Sequence, residues 1–318
     1  MIKSSHCIIC GGDKSFQLFK TRDRMFDIPG LFDVKKCQRC GLVFQNPQPS
    51  QERLRRHYPY HQYYSYKMEI KGLSGLVSQF RSYLIKHYYE PTILSRMFSF
   101  IVQGVPAIPK KPRKGLAKIL DVGCGTGKTL TLLKELGWDV YGLEIDKDAV
   151  KIAGERGLVN VKHGGYEKIA NFPNNYFDCI RLYHVIEHIP DPRNCLQFIY
   201  KKLKPGGEVI LGTPNADSAV SRLFGKFWYN LDIPRHLFVF SPKTLSRMVK
   251  NEDFVNLSTV FCSSDGLGRS IIYTLNQTFN KKMDTNKFTL LFFLLYPVEW
   301  VLDKLKIGDI IILRGIKK

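Results

Sequence analysis

Short apolar runs alternate with stretches of helical spacing through the middle of the chain. AKILDVG (from Ala117), WDVYGLEI, YFDCIRLYHV and GEVILGTP are rich in β-branched and aromatic residues and read as strands. Helices are expected between them at about residues 128–136, 148–156 and 192–203. This alternation predicts an α/β fold, a doubly wound and mainly parallel sheet with helices on both faces. In such sheets ligands sit beyond the carboxyl ends of the strands, so the strand ends carry the candidate chemistry.

The flanks follow other patterns. Leu73, Leu76, Val77, Phe80, Tyr83, Leu84 and Tyr88 fall at helical spacing before Pro91, and a second helix is expected through Phe98 and Ile101. PAIPKKPRK (residues 106–114) reads as a linker, and Ser50 is placed to cap a short basic helix. FTLLFFLLYPVEWVL (residues 288–302) is nearly all apolar, yet too short and too interrupted by Pro297 and Glu299 to span a bilayer as a plain helix. With Trp300 it suits a membrane interface, and it equally suits a helix packed over the site or in a dimer contact before the last strand, GDIIILRGI. The expected division is 1–66, a small module; 67–115, helices and linker; 116–265, the α/β core; and 266–318, an apolar insertion and last strand.

The eight cysteines separate into two groups. Cys7 and Cys10, then Cys37 and Cys40, form two Cys-x2-Cys knuckles able to give a structural Zn²⁺ four thiolates, and Gly41 permits the tight backbone of the second. Cys124, Cys179, Cys195 and Cys262 fall in expected core elements and read as inert thiols. No N-terminal run resembles a signal peptide, so a reducing, cytoplasmic setting is the expectation. The net charge of +20 is uneven: residues 1–116 hold 20 Lys and Arg against 7 acids, and residues 117–280 hold 20 against 17. Anionic lipid, nucleic acid or a phosphorylated substrate would be drawn to the flanks.

After the strand ILDV comes GCGTGKT from Gly123. Val122 stands where a phosphate-binding Walker loop needs glycine, and Lys128 stands where a dinucleotide fingerprint needs its third. A loop of form Asp-x-Gly-x-Gly-x-Gly remains, around Asp121, Gly123, Gly125 and Gly127. Glu144 ends the next strand, where a carboxylate can accept from both ribose hydroxyls, so the pair describes a nucleoside site.

ILDVGCGTG, YGLEID, NNYFDCIRLYHVIEHIPDP and LKPGGEVILGTPN, in that order, resemble the class I S-adenosylmethionine-dependent methyltransferases over about residues 116–260. The resemblance implies a Rossmann-like seven-stranded sheet, with Gly123, Gly125 and Gly127 around the methionine part of S-adenosylmethionine. Asp121 would support the loop, Glu144 would hold the ribose, and Tyr183 would line the cofactor. Gly165 stands where many relatives place an Asp for the adenine, so Tyr166 or backbone groups would replace it. The cysteine module and WYNLDIPRHLFVFSPKTL are similar to sugar C-methyltransferases and to enzymes of polysaccharide clusters. That likeness implies a sugar or glycan acceptor, free or lipid-linked and met at a membrane surface; RNA is the alternative acceptor and a non-catalytic scaffold a further one.

His184, Glu187 and His188 spell His-x-x-Glu-His, a zinc-peptidase spacing that requires one long helix. Asp191 and Pro192 instead start a helix after the motif. Certain relatives, quinone-precursor O-methyltransferases and small-RNA 3′-end methyltransferases, bind a divalent ion here through Glu-x-x-Glu-His. His184 replaces their first carboxylate, which disfavours Mg²⁺. The expected role is acid/base: His188 and His236 as base candidates, Glu187 orienting them, and Asp232 and Arg235 near the substrate.

Overall fold

The computed structural model of the chain describes residues 6–59, 73–93, 95, 107–110, 117–263, 265–279, 283 and 288–318. The helix expected through Phe98 and Ile101, the tyrosines from 60 to 66 and most of the linker lie outside them. Strands β1 (Ser15–Thr21), β2 (Phe32–Cys37) and β3 (Val43–Gln45) make an antiparallel meander. Helix α1 (Gln51–Arg55) follows, and the Ser50 side chain accepts from the Arg53 N–H as a cap. Helix α2 (Leu73–Lys86) ends before Pro91, where the sequence places its break.

The core then alternates strand and helix: β4 (Lys118–Val122), α3 (Lys128–Glu135), β5 (Asp139–Glu144), α4 (Lys147–Glu155), β6 (Val161–His163), β7 (Phe177–Tyr183), α5 (Pro192–Lys202) and β8 (Leu203–Pro214). It continues through α6 (Ala219–Phe224), β9 (Phe238–Val239), α7 (Pro242–Lys250), β10 (Phe254–Phe261), α8 (Gly266–Thr278), α9 (Thr289–Lys304) and β11 (Ile310–Lys317). Local chemistry sets the helix starts. Asp146 caps α4, Asp191 caps α5 with Pro192 in its first turn, and Ser241 and Thr244 form a capping box on α7.

Seven strands form the main sheet in the order β10-β11-β8-β7-β4-β5-β6. β4 lies parallel between β5 and β7, and β11 runs antiparallel to both its neighbours. Ile119, Leu120 and Val122 are buried, as a central parallel strand covered on both faces requires. Winding reverses at β4, which opens a crevice beyond the ends of β4, β5 and β7.

One feature differs from the sequence reading: β8 is longer than GEVILGTP, beginning at Leu203. Helix α9 runs through Pro297, whose ring removes one N–H from the ladder on the exposed side, and continues to Lys304. No helix among the described residues is long and apolar enough to cross a membrane.

The N-terminal sheet is completed from the far end of the core. β9 pairs with β3, Val43 opposite Val239 and Phe44 opposite Phe238, giving the order β1-β2-β3-β9. Cys7, Ile9, Leu42 and Phe44 share one apolar cluster with Leu182, Ile186, Leu237 and Phe240. These four residues of the expected 1–66 module therefore pack against the α/β core.

Candidate active site

The glycine loop closes tightly over the end of β4. Gly127 adopts φ +77° at the start of α3, and a Cβ there would lie 2.2 Å from Leu158 Cδ1. At Gly123, φ +73°, a Cβ would lie 2.4 Å from Val185 Cγ2, so the β4 loop and the β7 loop approach only because no side chain intervenes. Glu144, buried at the end of β5, accepts from the Gly125 N–H at 2.8 Å and the Asp146 N–H at 3.0 Å, tying the two cofactor-binding candidates together. Burial raises its pKa against the pull of these donors.

The other cofactor candidates are engaged differently. Asp121 does not hold the loop through its carboxylate; both its oxygens accept from Arg181 Nη1, at 2.7 and 2.8 Å, bridging β4 and β7. Tyr183 lies under the Arg181 guanidinium, 4.9 Å from its ring centre. Tyr166 begins a 3₁₀ turn, Tyr166–Asn171, just after Gly165. Beside it, at the ends of β5 and β6, a cavity of about 200 Å³ is lined by Leu143, Lys162, His163, Lys168, Asn171 and Phe172. Ile145, directly after Glu144, is 69% exposed, an apolar side chain at the crevice that the sequence reading passed over.

His184, Glu187, His188 and His236 converge beyond β7. His184 sits at φ +56°, a left-handed conformation uncommon outside glycine, and its N–H donates to the Gly212 carbonyl. A 3₁₀ turn, Ile186–His188, follows, and the helix starts only at Pro192, so the peptidase arrangement does not form. Glu187 is fully buried, yet neither of its oxygens accepts a hydrogen bond. His184 Nδ1 stands 3.3 Å and His236 Nε2 4.0 Å from its Oε1, close in charge terms but outside hydrogen-bond geometry. Burial works against the Glu187 charge, but His184, His188 and His236 outweigh it and hold the carboxyl at about 2.

Backbone carbonyls set the tautomers of both base candidates. His188 Nδ1 lies 3.0 Å from the Arg235 carbonyl and His236 Nδ1 lies 2.9 Å from the Asn230 carbonyl. A carbonyl only accepts, so each Nδ1 carries the hydrogen and each Nε2 presents its lone pair. Burial lowers the pKa of His188; burial and the neighbouring His188, its ring centre 4.7 Å away, lower His236 to about 4. The group thus combines one buried, ionised carboxylate with imidazole lone pairs, and the partly exposed His184 and His188 open it to solvent.

Arg235 corrects the sequence reading. It is fully buried, and its guanidinium is held within the protein. Its guanidinium donates to both oxygens of Asp23, to both of Asp232 and to the His57 carbonyl, and all five N–H groups are used. Burial opposes its charge, and Asp232 with Asp23 overcomes that and raises its pKa. The same Asp23 binds His57 Nδ1 at 2.7 Å. Beside this clamp the Tyr58 hydroxyl lies 3.1 Å from His188 Nδ1, so the N-terminal residues reach the base candidate. Nothing local in the sequence marks Asp23, His57 or Tyr58 for these roles.

The four paired cysteines also converge. Cys7 and Cys40 Sγ are 3.5 Å apart, Cys10 and Cys37 Sγ 3.6 Å, and all four sulfurs lie within 4.8 Å of one another. Gly11 and Gly41 turn the two knuckles at φ +67° and +83°, each N–H donating back to the first cysteine carbonyl of its pair. Burial raises the Cys7 thiol, whereas at Cys37 the backbone N–H donors of Cys40 and Arg39 overcome burial and lower it to about 7. This group could hold one tetrahedral metal ion.

Parts of the chain are similar to known proteins. A ubiquinone biosynthesis O-methyltransferase of Xanthomonas oryzae pv. oryzae is 32% identical over 112 residues, 34% of this chain and 47% of the relative, so the chain spans less than half of that protein. One of a Shewanella species is 26% identical over 181 residues, 54% of this chain and 77% of the relative. Among solved structures, an S-adenosylmethionine-dependent methyltransferase of Archaeoglobus fulgidus aligns at a TM-score of 0.46 and 23% identity, over 74% of this chain and 99% of the other. The sequence profile of a methyltransferase domain family matches residues 93–259, more than half of the 318. The chain belongs to that methyltransferase domain family.

Proposed function

We propose that the enzyme methylates an oxygen or carbon of a phosphorylated sugar or glycan intermediate, with His188 and His236 as base candidates and Glu187 as their orienting partner. The observation that carries this reading is the pair of Nε2 lone pairs beside one buried carboxylate that accepts no hydrogen bond. S-adenosylmethionine supplies an electrophilic methyl, and the residues of the chain do the rest. Gly123, Gly125 and Gly127 line the methionine end, Glu144 accepts from the ribose hydroxyls, and Ile145 and Tyr166 flank the adenine. With the cofactor bound, an imidazole Nε2 would take the proton that the acceptor loses, from its hydroxyl for an oxygen or from its C–H for a carbon, as that atom takes the methyl.

The acceptor class rests on charge as well as on the resemblance of the cysteine module. A recess bordering Asp232 is lined by Arg22, Arg24, Lys226, Tyr229 and Tyr273. Arg24 is half-buried over the Phe227 ring, and burial with Arg22 beside it lowers its pKa to about 10. The recess, about 10 Å³ and also lined by Asp232, holds no more than a water, so a phosphoryl group would compensate these cations at its rim. The O-methyltransferase names of the relatives favour oxygen as the acceptor atom.

The cysteine group fits structural zinc, because a tetrahedral ion with bonds of about 2.3 Å sets sulfurs roughly 3.8 Å apart. Elemental analysis should then find one zinc per chain. A second reading of the histidine group, a divalent cation held by Glu187, His188 and His236, is favoured by the same bare carboxylate and the carbonyl-fixed tautomers. Two imidazoles and one carboxylate suit a softer ion than Mg²⁺. Activity that survives chelation supports the base; activity lost and then restored by Mn²⁺ or Co²⁺ supports the cation.

The direct test is methyl transfer from radiolabelled S-adenosylmethionine into a cell extract split into nuclease-sensitive, lipid-extractable and small nucleotide-sugar fractions. Label in the lipid or nucleotide-sugar fraction supports the reading. Label in the nuclease-sensitive fraction makes the acceptor RNA, and no label with intact cofactor binding makes the chain a scaffold. Gly125→Asp, which sets a second carboxylate beside Glu144, should weaken cofactor binding by about tenfold or more.

A further inference from the structure

Helix α9 carries its amphipathic pattern reversed. Both of its carboxylates turn inward: Glu299 is buried and accepts from the Leu267 N–H at 2.9 Å, and Asp303 accepts from the Ser263 N–H and hydroxyl. The side chains turned to solvent are Leu290, Leu294, Val298 and Val301, with Leu305 just past the helix end, exposed at 66, 65, 47, 46 and 62%. Steps of four, four, three and four residues put them in one stripe along the helix. Phe279, at the end of the α8 helix on which α9 packs, is 62% exposed as well. A surface helix in contact with water alone does the opposite, burying its leucines and exposing its acids.

We propose that this stripe docks on an anionic lipid surface, its Leu and Val side chains in the acyl boundary and Lys304 and Lys306 at the phosphate level. The charges select the occupant. With Glu299 and Asp303 turned inward, the exposed charges at the end of the stripe are Lys304, which lies over the Trp300 ring at 5.4 Å, and Lys306. A second copy would bring the same lysines against each other and add another +20 of net charge, whereas anionic headgroups complement both. At 16 residues the helix lies along an interface and does not cross it. This inference is independent of the acceptor and of the histidine group.

Flotation of the full chain with vesicles tests it. The protein should float with vesicles of phosphatidylcholine and phosphatidylglycerol, less at high salt, and remain in the dense fraction with phosphatidylcholine alone. The triple variant Leu294→Gln, Val298→Gln, Val301→Gln should lose at least about tenfold of the partitioning, because aliphatic burial supplies much of interfacial binding. Its melting curve should match the parent, since all three side chains face outward. Failure of the parent to float with the anionic vesicles, or equal flotation of the triple variant, overturns the proposal. So does a parent dimer in light scattering that the triple variant splits without any loss of lipid binding.

Discussion

Two buried polar groups share the loop from Asn230 to His236, and they are finished to different standards. Around Arg235 every donor has an acceptor, and the guanidinium closes Asp23 of the β1–β2 connection, the turn after α1 and the loop into one knot. Around Glu187 a fully buried carboxylate accepts nothing, with ring nitrogens of His188 and His236 within 4.8 Å of it. Buried polar groups are normally satisfied because leaving them bare costs about 1–3 kcal/mol, and more for a charge. The first group therefore reads as architecture, and the second as a site whose missing partner arrives with the ligand.

The largest effect that separates them should come from Arg235→Met. It strands Asp23 and Asp232 as buried charges and should cost roughly 3–5 kcal/mol in urea unfolding. A loss under about 1 kcal/mol would make the knot incidental.

Acid should act on the other group next. The unfolded chain protonates His236 near its ordinary 6.5, while the folded chain resists until about 4, so the unfolded state binds more protons in that window. Stability should be full above 6.5 and decline by up to about 3 kcal/mol as pH falls to 4. Glu187, held at about 2, adds its own loss only below its ordinary 4.5. In His236→Asn the slope between 6.5 and 4 should flatten; an unchanged slope would assign it to other groups.

Tyr58→Phe should have the smallest effect. It removes the hydroxyl 3.1 Å from His188 Nδ1 and leaves the Arg235 carbonyl to hold the ring, so the rate should fall by less than about tenfold, or roughly 1 kcal/mol. A shift in the acid limb of the rate profile would show that the contact tunes His188; a change in melting alone would make it packing.

Legibility in the sequence followed the range of the interactions. β4, β5, β7 and their helices were readable because apolar period, caps and glycines are local signals; Asp146, Asp191 and Ser241 cap where local rules place them. The turn at Gly123, Gly125 and Gly127 and the strand end at Glu144 were readable for the same reason. Arg235 was misread because Asp23, 212 residues away, decides its role, and no local pattern records that pairing. The β3–β9 pairing that joins the cysteine module to the core was equally hidden, since Phe238 and Val239 form a two-residue strand only against a partner. In α9 the apolar run was visible, but which face looks outward depends on the Leu267 N–H that captures Glu299.

The central claim, that the unsatisfied group is the one that works, is tested most directly by Glu187→Gln. Methyl transfer should be measured on the fraction that the parent labels, with cofactor affinity and urea unfolding alongside. The account predicts a rate at least about a hundredfold lower, cofactor affinity unchanged and stability within about 1 kcal/mol of the parent or higher. A rate near that of the parent, or a loss of rate explained wholly by unfolding, would contradict it.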